Sequence, residues 1–132
     1  MTPLNVFLVE YSAAQCAYLR QILAAQANAV VVGIAETEQQ AVSWLDTHAG
    51  AWDIALVDLF LGAGSGVGVI AHCRNRRPDQ SVLVMTNHVR DDQLLHHCQR
   101  LGADAVFYKA SQLDGLVAFC RAKANNMPQC PA

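Results

Sequence analysis

Charge is scarce in this chain. Lys, Arg, Asp and Glu make up 15% of its 132 residues, where an ordinary soluble domain carries about 25%. The formal net charge is only −2, so nothing draws the molecule as a whole toward nucleic acid or an anionic lipid surface, and neither is expected as a direct partner. Long apolar runs are missing as well. None approaches the ~20 residues that a membrane span needs, and the opening MTPLNVFLVE has neither the basic n-region nor the long apolar h-region of a signal peptide. Together these absences lead to the expectation of a cytoplasmic protein that neither enters nor binds a membrane. The cysteines, five in number, are widely spaced and form no CxxC pair, which argues against a disulfide framework and a zinc knuckle and leaves reduced thiols, mostly as small core residues. His96, His97 and Cys98 are adjacent, but consecutive helical residues point about 100° apart and do not close on one ion.

What is abundant is apolar. Hydrophobic residues are 53% of the chain, enough for a single core that buries roughly two-thirds of the unfolded surface. Short, β-branched runs recur at near-constant spacing: LNVFLV (4–9), AVVVGIA (29–35), DIALVD (53–58), SVLVMT (81–86) and AVFY (105–108). Each has the pattern of a strand buried on both faces. Helical patterns lie between them. After Ser12, one face carries Cys16, Leu19 and Leu23; after Thr37 it carries Ala41, Trp44 and Leu45, with Gln40 completing a capping-box pattern. Val69, Ile70 and Cys73 share a third face, and Leu94, Cys98 and Leu101 a fourth, ahead of Gly102 as a C′ residue. From Ser111 the last helix aligns Leu113, Leu116, Val117 and Cys120.

Strict alternation of strand and helix predicts an α/β protein, a doubly wound (βα)5 fold of the flavodoxin-like kind with a five-stranded parallel sheet in the order 2-1-3-4-5. Helices 1 and 5 would cover one face and helices 2, 3 and 4 the other. Ligands of such sheets sit beyond the carboxyl ends of the strands, here between strands 1 and 3. Four polar residues meet there: Glu10 after strand 1, Asp58 at the end of strand 3, Thr86 at the end of strand 4 and Lys109 after strand 5. Asp53 starts strand 3 and belongs to the opposite edge. Two carboxylates, a hydroxyl and an amine in one crevice suit a carboxylate nucleophile toward phosphorus, with Mg²⁺ and a lysine offsetting the charge on the phosphoryl oxygens.

The segments VFLVE, DIALVDLFLGAGSG, VLVMT and LGADAVFYK, taken as a set, resemble the CheY-like receiver domain of response regulators, the phospho-acceptor module of bacterial two-component signalling. The resemblance spans about residues 4 to 125. It implies that Asp58 is the phospho-acceptor, that Glu10 and Asp58 hold Mg²⁺, that Thr86 is the switch hydroxyl and that Lys109 is the charge partner. It implies a sensor histidine kinase or phosphotransfer protein as donor and a downstream protein as target. It also implies a homodimer contact through helix 4, strand 5 and helix 5, where Phe119 would contribute. Acceptance of a phosphoryl group on the protein's own Asp58, with slow hydrolysis, is signalling rather than enzymology on an external substrate.

Three residues depart from the pattern. The second acid of the usual pair is Tyr11, a bulky ring beside Asp58 and a poor Mg²⁺ ligand, so metal binding should be weak. The usual switch aromatic is Val106, with Phe107 and Tyr108 shifted toward Lys109. Ala110 replaces the usual proline, and a cis bond before it would cost about 3–4 kcal/mol, so Lys109–Ala110 is expected trans. These departures keep a second reading open, a pseudo-receiver that binds without efficient phosphorylation. A third, a small enzyme or nucleotide binder, rests on the G-x-G-x-x-A spacing of Gly66, Gly68 and Ala71, although the glycines also read as a flexible loop. No GKS or GKT is present. Arg74, Arg76 and Arg77 read as a solvated helix end. The expected organisation is a receiver domain over 1–125 and a short tail over 126–132, either a stand-alone receiver or one excised from a longer protein.

Overall fold

A computed structural model of the chain describes residues 2–86, 92–108 and 112–126. Its elements alternate as expected: β1 (Leu4–Val9), α1 (Ala13–Ala27), β2 (Ala29–Ala35), α2 (Glu38–Thr47), β3 (Ile54–Asp58), α3 (Gly66–His72), β4 (Ser81–Thr86), α4 (Asp92–Arg100), β5 (Ala105–Tyr108) and α5 (Leu113–Asn126). The strands pair in parallel in the order β2-β1-β3-β4-β5, the flavodoxin-like arrangement.

Side chains alternate across this sheet and build two cores. On one face Leu4, Val6 and Leu8 of β1 pack with Cys16, Leu19 and Leu23 of α1 and Leu116, Val117 and Cys120 of α5. On the other, Phe7 and Val9 pack with Ala41 and Leu45 of α2, Val69 and Ile70 of α3, and Cys98 of α4. The division of helices between faces is therefore the expected one. Helix starts follow local chemistry. Ser12 Oγ accepts from the Gln15 N–H at 3.2 Å, and Thr37 Oγ1 from the Gln40 N–H at 3.1 Å. Gln40 reaches back as foreseen but accepts from the Glu36 N–H at 2.9 Å, one residue upstream of the usual capping box. Gly102 has φ 112° just beyond α4, the left-handed conformation that favours glycine there.

Three expectations need correction. β2 is an edge strand whose Val30, Val32 and Ile34 are exposed, and β5 is half-buried throughout, so full burial holds only for the inner strands. The pairing of β2 with β1 also slips between Val6 and Phe7, leaving Val32 without a counterpart. Finally, α3 ends at His72, before the three arginines. Arg76 is not a solvated end: its guanidinium donates to the carbonyls of Cys73, Gln80 and Gly102 and to Asp104 Oδ2, joining the α3–β4 connection to the α4–β5 connection. Asp53 lies just before β3, where its Oδ2 accepts from the Asn5 N–H at 2.8 Å, at the end of the sheet away from Asp58. The Lys109–Ala110 bond and Ser111 lie outside the described residues.

Cys16, Cys73, Cys98 and Cys120 are free and buried. Burial pushes the Cys73 and Cys120 thiols up to about 11, with Arg76 and Lys123 respectively offsetting only part of the effect. An unfolded thiol titrates near 9.0, so between the two values the unfolded chain has lost protons that the folded chain retains. Stability should accordingly be unaffected by these groups below pH 9 and fall as the pH rises from 9 toward 11. Urea unfolding across that range checks this, with Cys73→Ala/Cys120→Ala expected to flatten the fall.

Candidate functional site

The carboxyl ends of β1, β3 and β4 bring three of the four expected polar side chains to one edge of the sheet. Val9 is in register with Val57 and Asp58 with Met85, so Glu10, Asp58 and Thr86 follow one another across three adjacent strands. All three are buried, at 4%, 8% and 3% exposure. That is unusual for carboxylates and requires polar partners. Glu10 Oε1 accepts from the Ser12 N–H at 3.3 Å, and Asp58 Oδ1 from the Phe60 N–H at 3.1 Å. The backbone of each strand end thus fixes its own carboxylate. Lys109 directly follows β5 in the chain but lies outside the described residues.

The loop between β3 and α3 closes one side of this edge, and it is not the slack segment that its glycines suggest. Glu38, at the start of α2, accepts from the Ser65 N–H at 2.8 Å and donates its own N–H to the Ala63 carbonyl at 3.1 Å. Cβ atoms at Gly64 and Gly68 would each come within 2.5 Å of the Glu38 side chain, so those glycines leave the room it occupies. Ser65 caps α3 by accepting from the Val67 N–H at 3.1 Å, and Phe60 and Ser65 form an isolated antiparallel bridge. Gly64 and Gly68 face the Glu38 side chain and Gly66 faces the Asp58–Leu59 backbone, so the protein itself fills the space beside these glycines, which takes away the support for a dinucleotide turn.

Tyr11 lies over the same loop. A Cβ at Gly62 would sit 2.4 Å from the Tyr11 ring, so the ring rests directly on the Gly62 backbone, four positions beyond Asp58. It is 60% exposed, with much of its surface turned to solvent. Phe60 is also exposed, so two aromatic rings border the acidic edge. The site therefore has two buried carboxylates and no third acid: among the described residues no group of three His, Cys, Asp or Glu side chains is placed to hold a metal ion. Mg²⁺ is commonly held by one or two carboxylates with waters and phosphate oxygens completing its shell, and Glu10 with Asp58 fits that sparse type.

The sheet also separates two aromatics that sequence spacing had grouped. Phe107 faces the α1/α5 core and meets Phe119 edge-to-face, with ring centroids 6.4 Å apart. Val106 faces the opposite core. Tyr108, two positions on, shares the face of Val106 and is in register with Thr86. Of the two shifted rings, only Tyr108 is therefore on the Thr86 side, a distinction that parallel register reveals and residue spacing does not. Phe119 is half-buried and leans on Phe107, so its apolar surface is used largely within the domain. His96 and His97 are exposed while Cys98 is buried, pointing apart as helical geometry requires.

The chain is thus a doubly wound parallel sheet with two buried carboxylates and a hydroxyl gathered at the carboxyl ends of its central strands. The family model "Response regulator receiver domain" matches residues 6–121, and the chain belongs to that family, the receiver domains of two-component signalling. Solved structures with the same fold include the response regulator domain of CheB from Thermotoga maritima, with 19% identity, a TM-score of 0.79 and coverage of 96% of this chain and 99% of that one. The receiver domain of NarL from Mycobacterium tuberculosis has 20% identity, a TM-score of 0.80 and coverage of 96% and 100%. CheY from Borrelia burgdorferi, in complex with CheX, BeF3 and Mg²⁺, has 21% identity, a TM-score of 0.78 and coverage of 96% and 91%. No curated protein matches this chain in sequence. None of the described helices is long and apolar enough to cross a membrane.

Proposed function

We propose that this receiver domain is a phospho-accepting switch in which Asp58 is the acceptor. The observation that carries the reading is the burial of Asp58 beside Glu10 and Thr86 at the carboxyl edge of the sheet. With a phosphohistidine donor on a sensor kinase or phosphotransfer protein, a carboxylate oxygen of Asp58 forms the new O–P bond. The P–N bond breaks, and its electron pair stays on the imidazole nitrogen, which takes up a proton. Thr86 would donate its hydroxyl to a phosphoryl oxygen, and Lys109, by family resemblance, would supply a fixed positive charge. Glu10 and Asp58 would hold Mg²⁺, which when bound offsets charge on the transferring group. The signal would leave through contacts with a downstream protein.

Incubation with a small phosphodonor and Mg²⁺, read by intact-protein mass, tests the assignment. One phosphoryl adduct is expected, absent in Asp58→Asn and labile to hydroxylamine as an acyl phosphate must be. An adduct that persists in Asp58→Asn would overturn the choice of acceptor. No adduct from a small donor or from a histidine kinase would favour the pseudo-receiver, a reading that Tyr11 and Val106 support. The homodimer through α4, β5 and α5 is a separate proposal. Phe119→Ser should raise the dissociation constant of that dimer in analytical ultracentrifugation, and unchanged association removes Phe119 from the contact.

A further inference from the structure

The Asp58 carboxylate is held by a loop that is itself held from another element. Asp58 Oδ1 accepts from the Phe60 N–H at 3.1 Å, and Phe60 stands across from Ser65 in the isolated antiparallel bridge. Beside that bridge the Gly66 N–H donates to the Leu59 carbonyl at 3.0 Å. Ser65 gives its N–H to Glu38 Oε1 at 2.8 Å, and Glu38 gives its own N–H to the Ala63 carbonyl at 3.1 Å. A continuous set of short contacts therefore joins the first residue of α2 to the carboxylate at the end of β3.

This brace falls where the loop most needs one. Gly62, Ala63 and Gly64 are exposed, and a glycine-rich stretch loses more conformational freedom on ordering than any other. Gly64 turns the chain with φ 77°, and Glu38 bonds to the residues on both sides of it. The bond from Ser65 has a carboxylate acceptor, which makes it stronger than a neutral one. Tyr11, by contrast, only rests its ring on Gly62.

We infer that Glu38 is a positioning residue for Asp58, fixing through this loop which way the acceptor carboxylate faces. The inference rests on Asp58 being the acceptor proposed above. Attack on phosphorus needs the carboxylate oxygen in line with the bond that breaks, and a displacement of about 1 Å can cost on the order of 100-fold in rate. Glu38 acts on that alignment only through Ser65 and Phe60.

Three variants test the role. Glu38→Ala removes the acceptor for Ser65, Glu38→Gln keeps an oxygen in its place, and Thr37→Ala weakens the start of α2 by removing its cap while sparing the loop. With phosphoramidate and Mg²⁺, followed by intact-protein mass, Glu38→Ala should acquire the Asp58 adduct about tenfold more slowly than the parent, and Glu38→Gln should return to within about threefold. Thr37→Ala should react at the parent rate. A second readout needs no chemistry at Asp58: the exchange of the Phe60 amide proton with solvent, followed by ¹⁵N-correlated NMR. It should quicken about tenfold in Glu38→Ala and recover in Glu38→Gln. In Thr37→Ala it should keep the parent value, which a general loss of stability would not allow. With a reactive parent, a parent-like rate or parent-like Phe60 exchange in Glu38→Ala, a loss in Glu38→Gln as large as in Glu38→Ala, or the same losses in Thr37→Ala would each overturn the role. If the parent takes up no phosphoryl group, the acceptor reading fails by itself, and the Phe60 exchange rates alone decide whether Glu38 orders the contact to Asp58.

Discussion

Gly66→Ala should destabilise the domain by about 3 kcal/mol, from the cost of forcing extra volume into a closed backbone contact. That corresponds to a fall of roughly 10 °C in the melting midpoint for a chain of this size. A Cβ on Gly66 would lie 2.1 Å from the Asp58 carbonyl oxygen and 2.8 Å from Leu59 Cα. Both are backbone atoms, so no side-chain rotation relieves the clash. The Gly66 N–H also donates to the Leu59 carbonyl at 3.0 Å, which holds the two segments at this separation. The chain has to move at the end of β3, and Asp58 moves with it. Gly50→Ala is the matched control: its Cβ would meet only the tip of the Arg77 side chain, at 3.4 Å, and stability should stay within about 0.5 kcal/mol. Thermal and urea unfolding of the two variants measure the difference. Equal stabilities would refute the close approach at Gly66.

Tyr11→Asp should bind Mg²⁺ at least about tenfold more tightly than the unaltered chain, a difference of roughly 1.4 kcal/mol. The variant adds a third acid next to Glu10 and Asp58, and Mg²⁺ prefers carboxylate to a neutral phenol. It also removes the ring from Gly62, so the gain is a net effect of a new ligand and an uncovered loop. Tyr11→Ala separates the two, since it uncovers Gly62 without supplying an acid and should bind no more tightly than the parent. Calorimetric titration of the three proteins, with Asp58→Asn as the control that abolishes binding, decides the matter. Equal affinities in parent and Tyr11→Asp would make Tyr11 a bystander to the metal.

Much of the fold was legible because its signals are local. β-branched runs such as SVLVMT and AVFY delimit β4 and β5 at their observed ends, and Ser12 and Thr37 cap the helices they precede. The acidic edge was legible for a topological reason: in a parallel sheet every strand ends on the same side, so Glu10, Asp58 and Thr86 had to meet. What stayed hidden depends on partners distant in the chain. Nothing in AVVVGIA distinguishes an edge strand from an inner one, because its composition suits both. The anchoring of the glycine loop comes from Glu38, 27 positions before Ser65. The bonds of Arg76 likewise run to Gly102 and Asp104 on a neighbouring strand connection, where helix-end statistics place only solvent. The sidedness of Tyr108 requires knowing which residue of β4 stands opposite it.

The slip at Val32 has a consequence for how molecules of this protein meet. AVVVGIA carries no charge and no proline, the two devices that most often keep an outer strand from adding to another sheet. Its exposed valines and isoleucine would make a regular edge adhesive at high concentration. The extra residue interrupts that regularity halfway along, so an approaching strand can match one half of the ladder or the other but not both in a single register. A crowding hazard written into the composition is thereby countered by geometry rather than by a charged or proline residue on the strand.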